Sequence, residues 1–223
     1  MRDQNRRPAG ISLGRALTIL PGIANDDLRE VVAILDRVHG DGRLPAIPLA
    51  FVETRTDPSG NSLDGTFAFE VDDHGRILGR AILVRFAAPH RRFVALHEVG
   101  HFLDACGLPG GGESSRYHPL LTPWREAIFA SRAFRELIQL VASSDPPTTS
   151  RAVKLLDSVE LWSRSYAQFI AIRSGDGSLV AALNALRRRS PNDVYFPRQW
   201  PDDDFVGIEA AIEQLFWSLG WIA

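Results

Sequence analysis

The sequence predicts an α+β fold in which a small mixed or antiparallel sheet packs on several helices, and three observations carry that reading. One helical period precedes a block of short alternating segments, further helical periods follow it, and an apolar helix bearing His97-Glu98-Val99-Gly100-His101 joins the two. At 223 residues, with 45% hydrophobic and 23% charged residues, the chain holds enough apolar surface for one core. The expected organisation is a single domain over residues 25–223, preceded by an N-terminal arm or irregular lead-in over residues 1–24.

Taken in order, Asn25-Asp26-Asp27 supplies a helix start, and Leu28, Val31, Val32, Leu35 and Val38 recur at helical spacing until His39-Gly40 ends the run. His39, at that C-terminal end, is expected to be exposed and not a ligand. Ala46 to Glu53 reads as a first strand, with Pro48 marking its start or an edge position. A turn-rich loop is expected through Asp57-Pro58-Ser59-Gly60-Asn61. Thr66 to Val71 and Arg76 to Phe86 read as a hairpin turning at Asp72-Asp73-His74-Gly75, with Gly79 marking a bulge. An exposed edge of such a sheet could hold an extended peptide by backbone pairing.

The next run, Arg92 to Asp104, contains no Pro and carries Phe93, Val94, Leu96 and Leu103, the composition of a buried helix. Residues four apart share a helix face, so His97 and His101 direct two imidazoles at one point, which is the spacing a zinc ion needs. Glu98 lies about 100° around the same turn. It is placed to reach a water on the metal but not to join the histidines as a ligand, so it reads as a general base. Two imidazoles and a carboxylate left uncompensated in an apolar helix would be costly, and a metal site answers that cost better than a core histidine pair. The whole is the H-E-x-x-H signature of a zinc metallopeptidase.

After Gly107, the stretch Leu108 to Ser115 is expected as a flexible surface connection. Thr122-Pro123 opens a helix carrying Phe134, Leu137, Ile138 and Val141, which stops before Asp145-Pro146-Pro147. Thr148-Thr149-Ser150 starts the helical region Arg151 to Arg173, with a break expected near Asp157-Ser158. Leu179 to Arg189 forms a further helix closed by Arg187-Arg188-Arg189, where cations complement the helix dipole. Pro191 to Asp204 is a Pro- and aromatic-rich loop. Asp202-Asp203-Asp204 is expected to cap a last helix with Ile208, Ile212, Leu215, Phe216 and Leu219 on one face.

Composition narrows the function classes. The net charge is -2 and no basic stripe interleaved with aromatics occurs, so no nucleic-acid partner is expected. No run approaches the roughly 20 apolar residues of a membrane span. Cys106 is the single cysteine, which rules out an internal disulfide and a cysteine-ligated zinc. The charged N-terminus, followed by a stretch broken at Gly10, Gly14, Pro21 and Gly22, lacks the apolar core of a signal peptide, and the expected location is cytoplasmic.

A catalytic zinc takes three protein ligands and keeps one position open for water. The metzincin continuation would need Gly and His where this chain has Asp104 and Gly107. His118, beside Pro119 after the flexible loop, and Asp157 are available. Glu160 is favoured, because an acid in an otherwise apolar, aromatic helix needs a partner.

The pairing of His97-Glu98-Val99-Gly100-His101-Phe102-Leu103-Asp104 with Glu160-Leu161-Trp162-Ser163-Arg164-Ser165-Tyr166 resembles the gluzincins. More narrowly, it resembles the lethal-factor-like peptidase domain and related metallopeptidase-like domains of phage and mobile elements. The resemblance covers residues 45 to 173 approximately. It implies a zincin-like fold, Zn2+ held by His97, His101 and Glu160, Glu98 as base, and a protein or peptide substrate. Two positions depart from that pattern. Arg164 stands where an acid is frequent four residues after the ligand, and Val153 to Val159 lacks the Tyr that precedes the ligand Glu. Oxyanion stabilisation then falls to Tyr166, Tyr117 or His118, or to the metal alone. Asp104, seven residues after His97, is expected to orient a ligand imidazole or to be a simple helix-end acid. The rival reading is a zincin-fold interaction or phage-derived assembly module whose metal is structural.

Overall fold

The computed structural model describes residues 11–12, 17–19, 25–42, 46–52, 63–143, 145–188 and 199–222. The loop expected at 57–61 and most of the segment from Pro191 to Asp204 lie outside them. Within these residues the fold is α+β and mostly helical, with a small mixed sheet.

Strand β1 (Ile11–Ser12) pairs antiparallel with β3 (Asp41–Gly42). The main sheet holds β2 (Leu17–Ile19), β4 (Ile47–Val52), β5 (Gly65–Val71) and β6 (Ile77–Arg85) in the order β2-β4-β6-β5. Its first three strands run parallel, and β5 closes the edge antiparallel to β6. Within the lead-in expected before residue 25, Leu17 to Ile19 is a strand, in register beside Ile47 to Leu49. A parallel pairing across so many residues has no local signature. The alternation of β4 and β6 turns Ile47, Leu49, Ile82 and Val84 to the helices as core. The hairpin turn forms as expected. The Asp72 carboxylate accepts the N–H groups of His74 and Arg76 at 2.9 Å each, and Gly75 supplies a φ of 76°. A register shift between Ala68 and Phe69 lies opposite Gly79, the expected bulge.

The helices are α1 (Asn25–His39), α2 (Arg91–Phe102), the short α3 (Ser114–Tyr117), α4 (Thr122–Ala130) and α5 (Arg132–Ser143), then α6 (Pro146–Leu155), α7 (Ser158–Ser174), α8 (Gly177–Arg187) and α9 (Asp202–Ser218). Helix α2 runs on into a π turn over Leu103–Gly107. Every residue of α7 from Leu161 to Ala171 is buried, so this helix has no polar stripe and lies at the centre, against α1, α2, α8 and α9. One hydrophobic core runs from Leu28 to Ile222.

Four helix expectations change. Asp145 caps α6 by accepting the Thr148 N–H at 3.0 Å, so Pro146 begins that helix instead of preceding it. The helix expected from Thr122 to Val141 is two, broken at Ser131. Asp204 does not cap its own helix, because its carboxylate accepts the N–H groups of Arg132 and Ala133 and so caps α5. His39, expected to be exposed, is 1% exposed and lies 2.9 Å by Nε2 from the Tyr166 hydroxyl. Phe216 and Trp221 meet its ring edge-on, and helix-end position alone could not foresee that packing. The break at Asp157 is found as expected, with its carboxylate accepting the Val159 N–H at 3.0 Å.

Candidate metal centre

Helix α2 places His97 and His101 one turn apart, and the first turn of α7 brings Glu160 to them. The two Nε2 atoms lie 3.1 Å apart, with the rings at 86°. The Glu160 carboxylate oxygens lie 3.4 Å from His97 Nε2 and 3.6 Å from His101 Nε2. One donor atom from each residue falls within 4.8 Å of the others, and the group could hold a metal ion. Two imidazole nitrogens and one carboxylate oxygen aimed at a single point form a donor set that suits zinc. The two imidazoles and Glu160 are reached by solvent over 20% and 29% of their side-chain areas, so the point they share opens outward. Burial alone would raise the Glu160 carboxyl. The charge and hydrogen bonds of His97 and His101 outweigh burial and hold it well below the ordinary range.

Glu98 points a different way from the same helix turn and is 6% exposed. The backbone N–H of Phe67 in β5 lies on its carboxylate side and favours the charged form. Gly65 makes room for it, since a Cβ there would lie 2.8 Å from Glu98 Oε1 and 2.6 Å from Val94 Cγ1. Burial pushes the Glu98 carboxyl up to about 7, with the His101 charge lowering it and the Glu160 charge raising it. A carboxyl with that value exchanges a proton near neutral pH.

The other expected participants sit elsewhere. Tyr166 is fully buried, six residues along α7 from Glu160 and on another face of the helix, with its hydroxyl against His39. As an oxyanion donor it is corrected to a core aromatic. Burial decides this, and pushes its phenol well above the ordinary value. Asp157 caps α7 and pairs with Arg116 at 2.6 Å. His118 accepts the Leu120 N–H at Nδ1, at 3.3 Å. Asp104 is fully buried and accepts the Ser115 N–H at 2.6 Å and the Ser115 hydroxyl at 2.8 Å, so it ties the start of α3 to the π turn. Burial raises its carboxyl to about 6 although both bonds lower it. Arg164 lies buried with its guanidinium 4.6 Å from the centre of the Trp200 ring.

Sequence reasoning missed Gly65 and Phe67 beside Glu98, and Ser115 as the partner of Asp104. A strand that opens on Gly was the one available signal for Gly65, whereas the other two act through atoms no motif specifies. Among the described residues no helix is long and apolar enough to cross a membrane. Comparisons of the chain with protein-family models, curated proteins and solved structures find no match.

Proposed function

We propose that this chain is a zinc-dependent peptidase with a zincin-like, gluzincin-type centre, acting on a protein or peptide in the cytoplasm. The convergence of His97, His101 and Glu160 on one point, with Glu98 buried beside it, is the observation that supports this reading most. When bound, zinc supplies Lewis acidity toward a water and a scissile carbonyl. The two imidazoles and the Glu160 carboxylate would hold it, leaving one side open to solvent. Glu98 takes a proton from the attacking water onto its carboxylate and delivers it to the departing amine. The Phe67 N–H favours the charged form of that carboxylate. The outer edge of β5 has no strand partner among the described residues, and an extended substrate would pair there beside Glu98.

Metal analysis and hydrolysis of a peptide mixture by wild type and Glu98→Gln test this together. The expected result is one zinc per chain in both proteins, with turnover in wild type and a loss of about 100- to 10,000-fold in the variant. Equal turnover in the two would end the assignment of Glu98. The deep burial of Glu98 favours one alternative, a metal-holding interaction or assembly module without hydrolysis, and zinc-loaded wild type that cleaves nothing would support it.

A further inference from the structure

We propose that Gly100 and Trp162 are positioning residues that set the third ligand, an inference that rests on the metal centre above. His97 and His101 belong to α2 and Glu160 to α7, so the separation of these two helices fixes how far the carboxylate stands from the imidazoles. At their crossing, Gly100 faces Ser163. A Cβ on Gly100 would lie 2.7 Å from Ser163 Cα, 3.1 Å from its Cβ and 3.2 Å from its carbonyl oxygen. The nearest of these atoms is backbone and cannot swing aside. Ordinary contact begins at 3.4 Å, so an alanine here forces the helices apart by roughly 0.7 Å. Metal–ligand distances tolerate about 0.2 Å, and the displacement exceeds that.

Trp162 locks the same crossing. Its indole N–H donates to the Gly100 carbonyl at 3.1 Å from a fully buried ring. That ring is held edge-on by Trp124, whose own N–H is bound to the Ser165 hydroxyl at 3.0 Å. The Gly100 carbonyl also receives the Leu103 N–H, and the helix widens into the π turn directly after it. One residue inside the histidine motif and one two positions after the ligand Glu160 thus bind backbone to indole across the two ligand-bearing helices. Helical periodicity explains Trp162 as core, but it does not explain an indole aimed at this carbonyl.

The test uses the full-length chain and four proteins: wild type, Gly100→Ala, Trp162→Phe and Glu160→Ala. Zinc affinity is measured by chelator competition, the cobalt-substituted proteins are read by visible absorption, and folding is followed by circular dichroism. The expected result is folded Gly100→Ala and Trp162→Phe proteins with zinc affinity reduced about 10- to 100-fold, the range for groups that orient ligands. Their cobalt spectra should shift toward that of Glu160→Ala. A merely structural role would lower the melting temperature and leave spectrum and affinity at the wild-type level, which overturns the inference. If Gly100→Ala does not fold, Trp162→Phe decides alone, because it keeps an aromatic ring in the core while removing the donor and the fused five-membered ring. Wild type that binds neither zinc nor cobalt overturns the metal centre itself, and this inference falls with it.

Discussion

Helix α7 presents two histidine partners about one and two-thirds turns apart, and they have opposite fates. In its first turn, Glu160 meets His97 and His101 at a point open to solvent. In its middle, Tyr166 meets His39 in a closed aromatic cluster with Phe216 and Trp221. At the first place an acid and two imidazoles converge, so any cation there is stabilised by the carboxylate. At the second, one neutral hydroxyl faces one imidazole, and burial lowers the His39 value from 6.5 to about 3, which keeps the ring uncharged. What separates the two histidines that could hold a metal from the core histidine in this molecule is the company of a carboxylate and an opening to water. Burial of the surrounding helix is common to both.

Acid should break the core pair first and by the largest amount. A histidine whose folded value is depressed contributes fully above its unfolded value, and that contribution is lost as pH falls from 6.5 toward 3. The loss amounts to about 5 kcal/mol at the acid limit. Denaturant unfolding of wild type and His39→Leu between pH 7 and 5, compared as a difference, reads this directly. Equal slopes in the two proteins would mean that His39 titrates normally and that the contrast with the metal site is false.

At the other end of the helix, Glu160→Ala should weaken zinc by more than about 100-fold, or about 2.7 kcal/mol. It should also abolish the rise in melting temperature that zinc in excess gives to wild type. Zinc retained at wild-type affinity in this variant would move the third ligand elsewhere. Tyr166→Phe should have the smallest effect and the sharpest use. Losing the hydroxyl leaves His39 Nε2 buried without a partner and costs about 1–3 kcal/mol of stability. Zinc content and hydrolysis should stay at wild-type levels, and a loss of turnover with zinc intact would return Tyr166 to the chemistry.

Much of the site was legible because it is written in local periodicity. The four-residue spacing of His97 and His101 needs only one helix turn to converge, and an acid placed in an apolar helix marks Glu160 as needing a partner. The hairpin at Asp72-Gly75 and the bulge at Gly79 were legible for the same reason, since turn chemistry acts within a few residues. The fold was legible only to the level of its elements. The parallel pairing of Leu17–Ile19 with β4 and the cap that Asp204 lends to Arg132, 72 residues away, join distant segments, and neither leaves a local trace.

By itself, then, the sequence determined that a helix would carry two imidazoles and a carboxylate on neighbouring faces, and that an α+β chain with one core would surround it. The tertiary structure alone decided which other residues that helix meets. Gly100 lets α7 approach close enough for Glu160 to reach the histidines, and Gly65 lets β5 settle over Glu98. His39 and Tyr166, which the sequence offered as a surface residue and a catalytic one, were drawn into the core together. The physical reason is that convergence and burial depend on helix separation and on packing between segments far apart in the chain, and those distances are set only when the whole core closes.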